Sequence, residues 1–244
     1  MVNLLYTELL KLKRARMFLV SLIGAAAAPA MMFLGLLDFH MRRPGETVTF
    51  AKVFEDTNLY VMLLIGTLLY GVITAYLFQR EYTEDTLKNL LTIPVSRTSL
   101  IVSKLLLLCL WIAVLTLTAW VLALAAGLLG GAEGLDADVL LQSLGQYLAG
   151  GGLLFLLSTP TMFVTFLFKN YVPTIIFTSV ITMGNVALAN RDYKALFPWS
   201  AVQVIAGGGQ VDAYPIHYSY LAVGLASLAG FVATLIYFKR ADIQ

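Results

Sequence analysis

Six apolar runs of 18 residues or more constrain this chain most: Met17–Leu37, Leu59–Gln79, Leu100–Leu129, Tyr147–Phe168, Val172–Ala189 and Leu221–Phe238. An α-helix rises about 1.5 Å per residue, so each run can cross a hydrocarbon core about 30 Å thick. The third run is overlong and must tilt or emerge. Inside lipid every backbone N–H and C=O needs a partner within the protein, which leaves helices or a closed barrel. A barrel needs alternating segments of about ten residues, and none of the six runs alternates. The fold class expected is all-α, a polytopic membrane protein with six transmembrane helices.

Composition agrees. The chain is 59% apolar and 12% charged, whereas soluble domains carry about a quarter charged residues. With the N-terminus inside, the cytoplasmic segments hold eleven basic residues: Lys11, Lys13, Arg14, Arg16, Arg80, Lys88, Arg97, Lys104, Lys169, Lys239 and Arg240. The outside segments hold five: Arg42, Arg43, Lys52, Arg191 and Lys194. That bias places both termini in the cytoplasm. A cleaved signal peptide over the first apolar run is the competing reading. It fits less well, because the run continues past Pro29 to Leu37 and its loss would spoil the charge bias.

Residues 1–16 pattern as an amphipathic helix at the membrane interface. Leu5, Leu9 and Leu12 recur at helical spacing, and Lys11, Lys13, Arg14 and Arg16 can meet anionic headgroups; a plain basic flank that sets topology is the alternative. Two external loops are expected, 38–58 and 130–146, the second acidic through Glu133, Asp136 and Asp138. The fourth and fifth spans meet in a tight hairpin at Lys169-Asn170-Tyr171. Between the fifth and sixth, the apolar stretch 195–206 is too short to span and too apolar for an ordinary loop. It reads as a re-entrant external hairpin, with Phe197, Pro198 and Trp199 as candidates for an external gate.

Chemistry is scarce inside the spans. All fourteen Asp and Glu lie in terminal or connecting segments, and no Lys, Arg or His sits mid-span. Ion-coupled carriers place ionisable groups at depth, so a gradient-driven carrier fits poorly, although backbone carbonyls could bind sodium. No G-x-x-x-x-G-K-[ST] loop is present, so this chain has no nucleotide site of its own. His40 and His217 lie apart in loops, and the single Cys109 lies inside a span. No catalytic, metal or cofactor residues are expected, and nothing suggests nucleic acid. Ser158-Thr159-Pro160-Thr161 reads as a place where hydroxyls satisfy backbone groups freed by proline. The glycines Gly71, Gly150-Gly151-Gly152, Gly184, Gly224 and Gly230 read as close helix contacts. Tyr76, Gln79 and Asn185 are candidates for a polar path or, equally, for interhelical hydrogen bonds.

The remaining feature is the charged patch between the second and third spans. Thr83 can cap a helix there, with Glu84 and Asp85 in its first turn. Leu87, Leu90 and Leu91 share one face, Pro94 ends the helix and Ser96 can cap the third span. A charged helix at the membrane surface offers a docking site to a soluble partner.

The stretch FQREYTEDTLKNLLTIPVSRTSLIVSKLL, residues 78–106, resembles the signature that follows the second span of ABC-2-type permeases. The matching positions are Glu81, Asp85, Thr86, Leu90, Leu91, Pro94, Val95, Ser96, Arg97 and Lys104. Six spans, a basic amphipathic N-terminus and an apolar hairpin before the last span are also similar to that family. The opening LLYTELLKLKR is similar to permeases of bacitracin and lantibiotic export or immunity systems. Asp85-Thr86 stands where many relatives have Gly-Thr.

The resemblance implies that residues 1–244 form a single ABC-2-type transmembrane domain in the bacterial plasma membrane. It implies two ATP-binding cassette subunits, which supply ATP and Mg, and a second permease chain, identical or homologous. It assigns ATPase coupling to Glu81, Tyr82, Thr83, Asp85, Thr86, Leu87, Pro94 and Arg97, and export of an amphipathic antimicrobial peptide to the assembly. A non-transporting membrane scaffold or regulator of a sensor kinase would share the docking helix and is the rival from another class.

Overall fold

The structure, a computed structural model, describes residues 8–10, 16–43, 45–83, 97–209 and 211–240. Helix α1 is Arg16–Arg42. A second passage is built from α2 (Phe50–Tyr60), a π turn (Val61–Ile65) and α3 (Gly66–Thr83). Then come α4 (Arg97–Leu129), α5 (Ala137–Leu156), α6 (Ser158–Phe168) and α7 (Tyr171–Leu188). A 3-10 turn (Asp192–Ala195), the short α8 (Pro198–Ala206) and α9 (Ile216–Arg240) complete the order. Among the described residues six helical stretches are long and apolar enough to cross a membrane, and none forms a strand.

Two spans begin earlier than the apolar runs indicate. The second stretch is helical from Phe50 and the fourth from Ala137, so most of both expected external loops is helix. Burial at helical spacing explains the first case. Phe50, Val53, Phe54, Thr57 and Asn58 are buried, while Lys52 faces outward and pairs with Asp56 at 2.8 Å. The side chain of Thr49 caps this helix by accepting from the Lys52 N–H. Asp136 does the same for α5, accepting from the Val139 N–H at 2.7 Å. The shortened loops are tied together, since Phe50 N–H donates to the Glu133 carbonyl and Glu133 N–H to the Val48 carbonyl, both at 2.9 Å.

Trp111 of α4 lies at the centre of the main core. Its ring meets Phe18 at 5.8 Å and Tyr76 at 6.3 Å, and its indole N–H donates to Ser21 Oγ at 3.0 Å. A second cluster near the opposite end stacks Phe54 on Trp120 and sets it edge-on to Tyr147. The outer surface is apolar, with Leu19, Ile23, Val180, Met183, Leu225 and Leu228 exposed; such a surface suits lipid and not water. Cys109 is part of it, on the exposed side of α4.

The fourth span breaks at Leu157, three residues before Pro160. Ser158 Oγ donates to the Phe155 carbonyl and Thr159 Oγ1 to those of Leu156 and Ser227, so the hydroxyls satisfy backbone groups as expected. Gly230 lies against the Thr159–Pro160 backbone and has no room for a side chain. Gly71, Gly150 and Gly151 are similarly closed in. The packing expectation fails at Gly152 and Gly224, where an added Cβ would meet open space.

Candidate functional site

One end of the bundle collects the starts of α1, α4 and α7 and the ends of α3, α6 and α9. It carries the basic residues Arg16, Arg80, Arg97, Lys104, Lys169, Lys239 and Arg240. Two long-range hydrogen bonds hold it together. Gln79 Nε2 donates to the Lys169 carbonyl at 3.3 Å, and Lys104 Nζ donates to the Leu77 carbonyl at 2.9 Å. The α6–α7 hairpin turns here as expected. Lys169 takes a left-handed conformation (φ 49°), and Asn170 caps α7 by accepting from the Val172 N–H at 3.0 Å.

The charged patch lies between α3 and α4 at this end. Asp85, Thr86, Leu87 and Pro94, like the rest of the expected coupling helix over 84–96, lie outside the described residues. Its flanks are described. Glu81, Tyr82 and Thr83 continue α3, and α4 starts at Arg97, immediately after Ser96. Thr83, expected as a helix N-cap, is helical and is the last described residue of α3. Residues 79–83 contain neither Gly nor Pro, so nothing stops α3 when it leaves the apolar run. Of the expected N-terminal helix over 1–16, residues 8–10 are described and helical, and Arg16 begins α1; the remainder falls outside.

Between α1, α3 and α7 this end holds a cavity of about 380 Å³. Met17, Val72, Ala75 and Ile175 give it apolar walls; Tyr76, Gln79, Arg80 and Tyr171 supply its polar groups. The size lies at the lower end of the ~300–1,000 Å³ typical of ligand pockets. An apolar chamber with one cation and a few hydroxyl and amide groups can accept an amphipathic molecule. Tyr76 and Gln79 are thus brought together, as a shared path requires.

Asn185 is not with them. It lies fourteen residues beyond Tyr171 on α7, roughly 20 Å along the helix. Its side chain is fully buried. Nδ2 donates to the Leu63 carbonyl at 3.1 Å and to Thr67 Oγ1 at 3.3 Å, while Oδ1 accepts from Ser200 Oγ at 2.9 Å. It therefore joins α7, the π turn and α8. The structure brings Asn185 together with the other candidates, Phe197, Pro198 and Trp199, which begin α8. Trp199 packs against Phe177 and Phe197. Helix α8 has nine residues, too few to cross a membrane, and its Ser200, Ala201 and Val202 are buried.

Sequence reasoning counted Lys104 as a basic flank. It is instead buried, about two turns inside α4, with Nζ 3.6 Å from Glu8 Oε2. Glu8 is buried as well. The available signal was position: Lys104 follows Leu100-Ile101-Val102-Ser103 and precedes four leucines, so a helix through these residues carries it into the apolar zone.

Residues 4–185 match the profile of the family described as "ABC-2 family transporter protein", a range that includes α1 to α6, most of α7 and the charged patch. The "Bacitracin transport permease protein BCRB" of Bacillus licheniformis is 58% identical over 201 residues, covering 82% of this chain and 97% of that protein. This is a multi-pass membrane permease, and the chain belongs to the ABC-2 family of transporter proteins.

Proposed function

We propose that this chain is the permease subunit of an ATP-driven exporter that removes an amphipathic peptide antibiotic from the membrane, with bacitracin as the first candidate. The observation that carries the reading is the 58% identity, over 82% of the chain, to a bacitracin transport permease. The apolar cavity with Arg80 at the basic end supports it, because such a chamber suits a molecule with an apolar body and polar groups.

In this reading the basic end faces the cytoplasm of a bacterial cell and both termini lie there, in keeping with the positive-inside bias. Residues 1–16 lie on the inner surface as an interfacial helix. Two copies, or one copy with a sister permease, assemble with two ATP-binding cassette subunits that hold ATP and Mg. Glu81, Tyr82, Thr83, Asp85, Thr86, Leu87, Pro94 and Arg97 receive the motion of those subunits. The substrate enters beside Tyr76, Gln79 and Arg80. Helix α8, with Phe197, Pro198 and Trp199, acts as a re-entrant cap that gates the external side. Asn185 anchors that cap to α7 and does not touch the substrate at entry.

The test is purification of the tagged chain from its native membrane in mild detergent, with an ATPase assay on the eluate. The expected result is copurification of a nucleotide-binding subunit and loss of bacitracin tolerance, at unchanged membrane abundance, on Glu81→Ala or Arg97→Ala. A kinase alone in the eluate favours the scaffold reading. Export of bacitracin by the chain alone in liposomes overturns the ATP-driven one.

A further inference from the structure

At the end opposite the basic one, a second cavity lies between α2, α5 and α8. One lobe, of about 110 Å³, is lined by Asn58, Gln146, Gln203, Glu55 and Lys194. The other, of about 280 Å³, shares Glu55, Gln146 and Gly207 with it and adds Gln142 and Ser143. A single buried water needs only ~10–15 Å³ of such space, so both lobes hold more than a structural water. Neither lobe includes any residue of the cavity beside Arg80.

Beside apolar residues such as Leu59, Met62 and Val204, the smaller lobe brings together three side-chain amides, those of Asn58, Gln146 and Gln203. Asn58 is 5% exposed, and its Oδ1 accepts no hydrogen bond from the described residues. Gln203 Oε1 is also buried and accepts none from them. An amide oxygen left in this state is destabilising, and a ligand donor that enters the lobe and draws the side chain toward it would relieve that cost. The identity of that ligand follows from the groups present. Each amide offers one acceptor and two donors, so three of them match a partner with both capacities. Glu55 and Lys194 bring opposite charges to the same lobe, which gives a net cation or anion no advantage over a neutral dipole. A peptide group is a neutral dipole with one donor and one acceptor.

We propose that this cavity binds peptide main chain: a short uncharged stretch lies across Asn58, Gln146 and Gln203 and exchanges hydrogen bonds with their amides. The inference rests on the exporter reading only for the source of the peptide. The full-length chain in phospholipid nanodiscs is titrated with N-acetyl-triglycine amide and, separately, with cadaverine, and binding is followed by saturation-transfer NMR. The peptide amide is expected to bind saturably and cadaverine not to. Asn58→Leu and Gln203→Leu are each expected to weaken binding roughly tenfold, the effect of one lost hydrogen-bonding pair. Leu225→Ala on the lipid-facing surface should change nothing. Thermal melts accompany each variant, and Gln146→Ala, at a partly exposed position, gives a further reading if a buried variant fails to fold. Wild-type affinity in the folded amide variants, absence of saturable binding, or preferential binding of cadaverine overturns the proposal. No nucleotide or ATPase is present, so binding of the amide is read apart from export, and failure of an ATP-binding subunit to copurify with the chain counts against the exporter reading alone.

Discussion

The side-chain amide of Asn185 donates to the main-chain carbonyl of Leu63, 122 residues earlier, at 3.1 Å. Leu63 lies in the π turn of the second span. A π turn shifts the backbone ladder by one residue, and inside a membrane a displaced carbonyl has no water to turn to. Thr67 Oγ1 satisfies the neighbouring Met62 carbonyl at 2.8 Å, and Asn185 satisfies Leu63. The same amide accepts from Ser200, so one side chain fixes both the irregular part of the second span and the position of α8.

Asn185→Leu should therefore lose three hydrogen bonds at a fully buried site. Interhelical hydrogen bonds in membranes contribute about 0.6 kcal/mol on average and up to about 1.7, so a loss of about 1–3 kcal/mol is expected. Ser200→Ala removes only one partner and should lose less. Unfolding of the purified variants in mixed micelles, followed by circular dichroism, measures both. Equal stability of Asn185→Leu and wild type would show that the π turn does not depend on this contact.

Glycines separate two kinds of position that composition cannot distinguish. A Cβ on Gly71 would overlap the Thr178 side chain, whereas one on Gly224 meets nothing within 4 Å. Thr178 is β-branched and cannot easily turn away. Gly71→Ala is expected to destabilise the protein by about 1–3 kcal/mol, as overpacking does. Gly224→Ala should be neutral or stabilising by up to about 1 kcal/mol, from helix propensity. The same micelle unfolding series decides between them, and the reverse order would mean that α3 and α7 are not packed as described.

Much of the architecture was legible because apolar length is a strong signal. All six spans, the hairpin at Lys169-Asn170-Tyr171 and the hydroxyls that satisfy backbone groups beside Pro160 follow from local sequence. The early starts of the second and fourth spans were not foreseen, because Lys52, Glu55 and Asp56 made 50–58 look like a loop. Yet Phe50, Val53, Phe54 and Thr57 already had helical spacing there. The Asn185–Leu63 contact and the Glu8–Lys104 pair join residues far apart in sequence, and no local pattern encodes such partners. The two polar lobes beside Asn58 and Gln203 belong to the same class, since three amides from α2, α5 and α8 converge only in the folded bundle.

Lys104 also yields a prediction about the N-terminal segment. Its ammonium lies 3.6 Å from Glu8 Oε2 and donates to the Leu77 carbonyl. Removing one member of a buried pair leaves the other without compensation, at a loss of about 3–5 kcal/mol. Lys104→Met should approach that range, because it also deprives the Leu77 carbonyl. Glu8→Gln should cost less, since a neutral amide oxygen can still face the Lys104 ammonium. The double variant should be more stable than the sum of the two losses predicts, by roughly 1 kcal/mol, the scale seen for residues in direct contact. A double-mutant cycle with simple additivity would remove the pair as the link between the N-terminal segment and α4.

The cavity at the basic end gives the most direct test of the transport route. Val72 lines it together with Tyr76, Gln79 and Arg80, and about 380 Å³ is available. Val72→Trp can project its ring into that space without displacing α1 or α7, so stability should change by less than about 1 kcal/mol. Overpacking losses arise only where a core is already full. Transport through the cavity should nevertheless be blocked. In cells that contain the ATP-binding partner, bacitracin tolerance is expected to fall about tenfold, equivalent to about 1.4 kcal/mol on the transport barrier. Immunoblots of the membrane fraction should show wild-type abundance. Val72→Ala enlarges the same chamber and should leave tolerance near wild type, which distinguishes obstruction from sensitivity at this position. If Val72→Trp retains full tolerance at normal abundance, the substrate does not pass beside Tyr76 and Gln79, and the route must start elsewhere in the bundle.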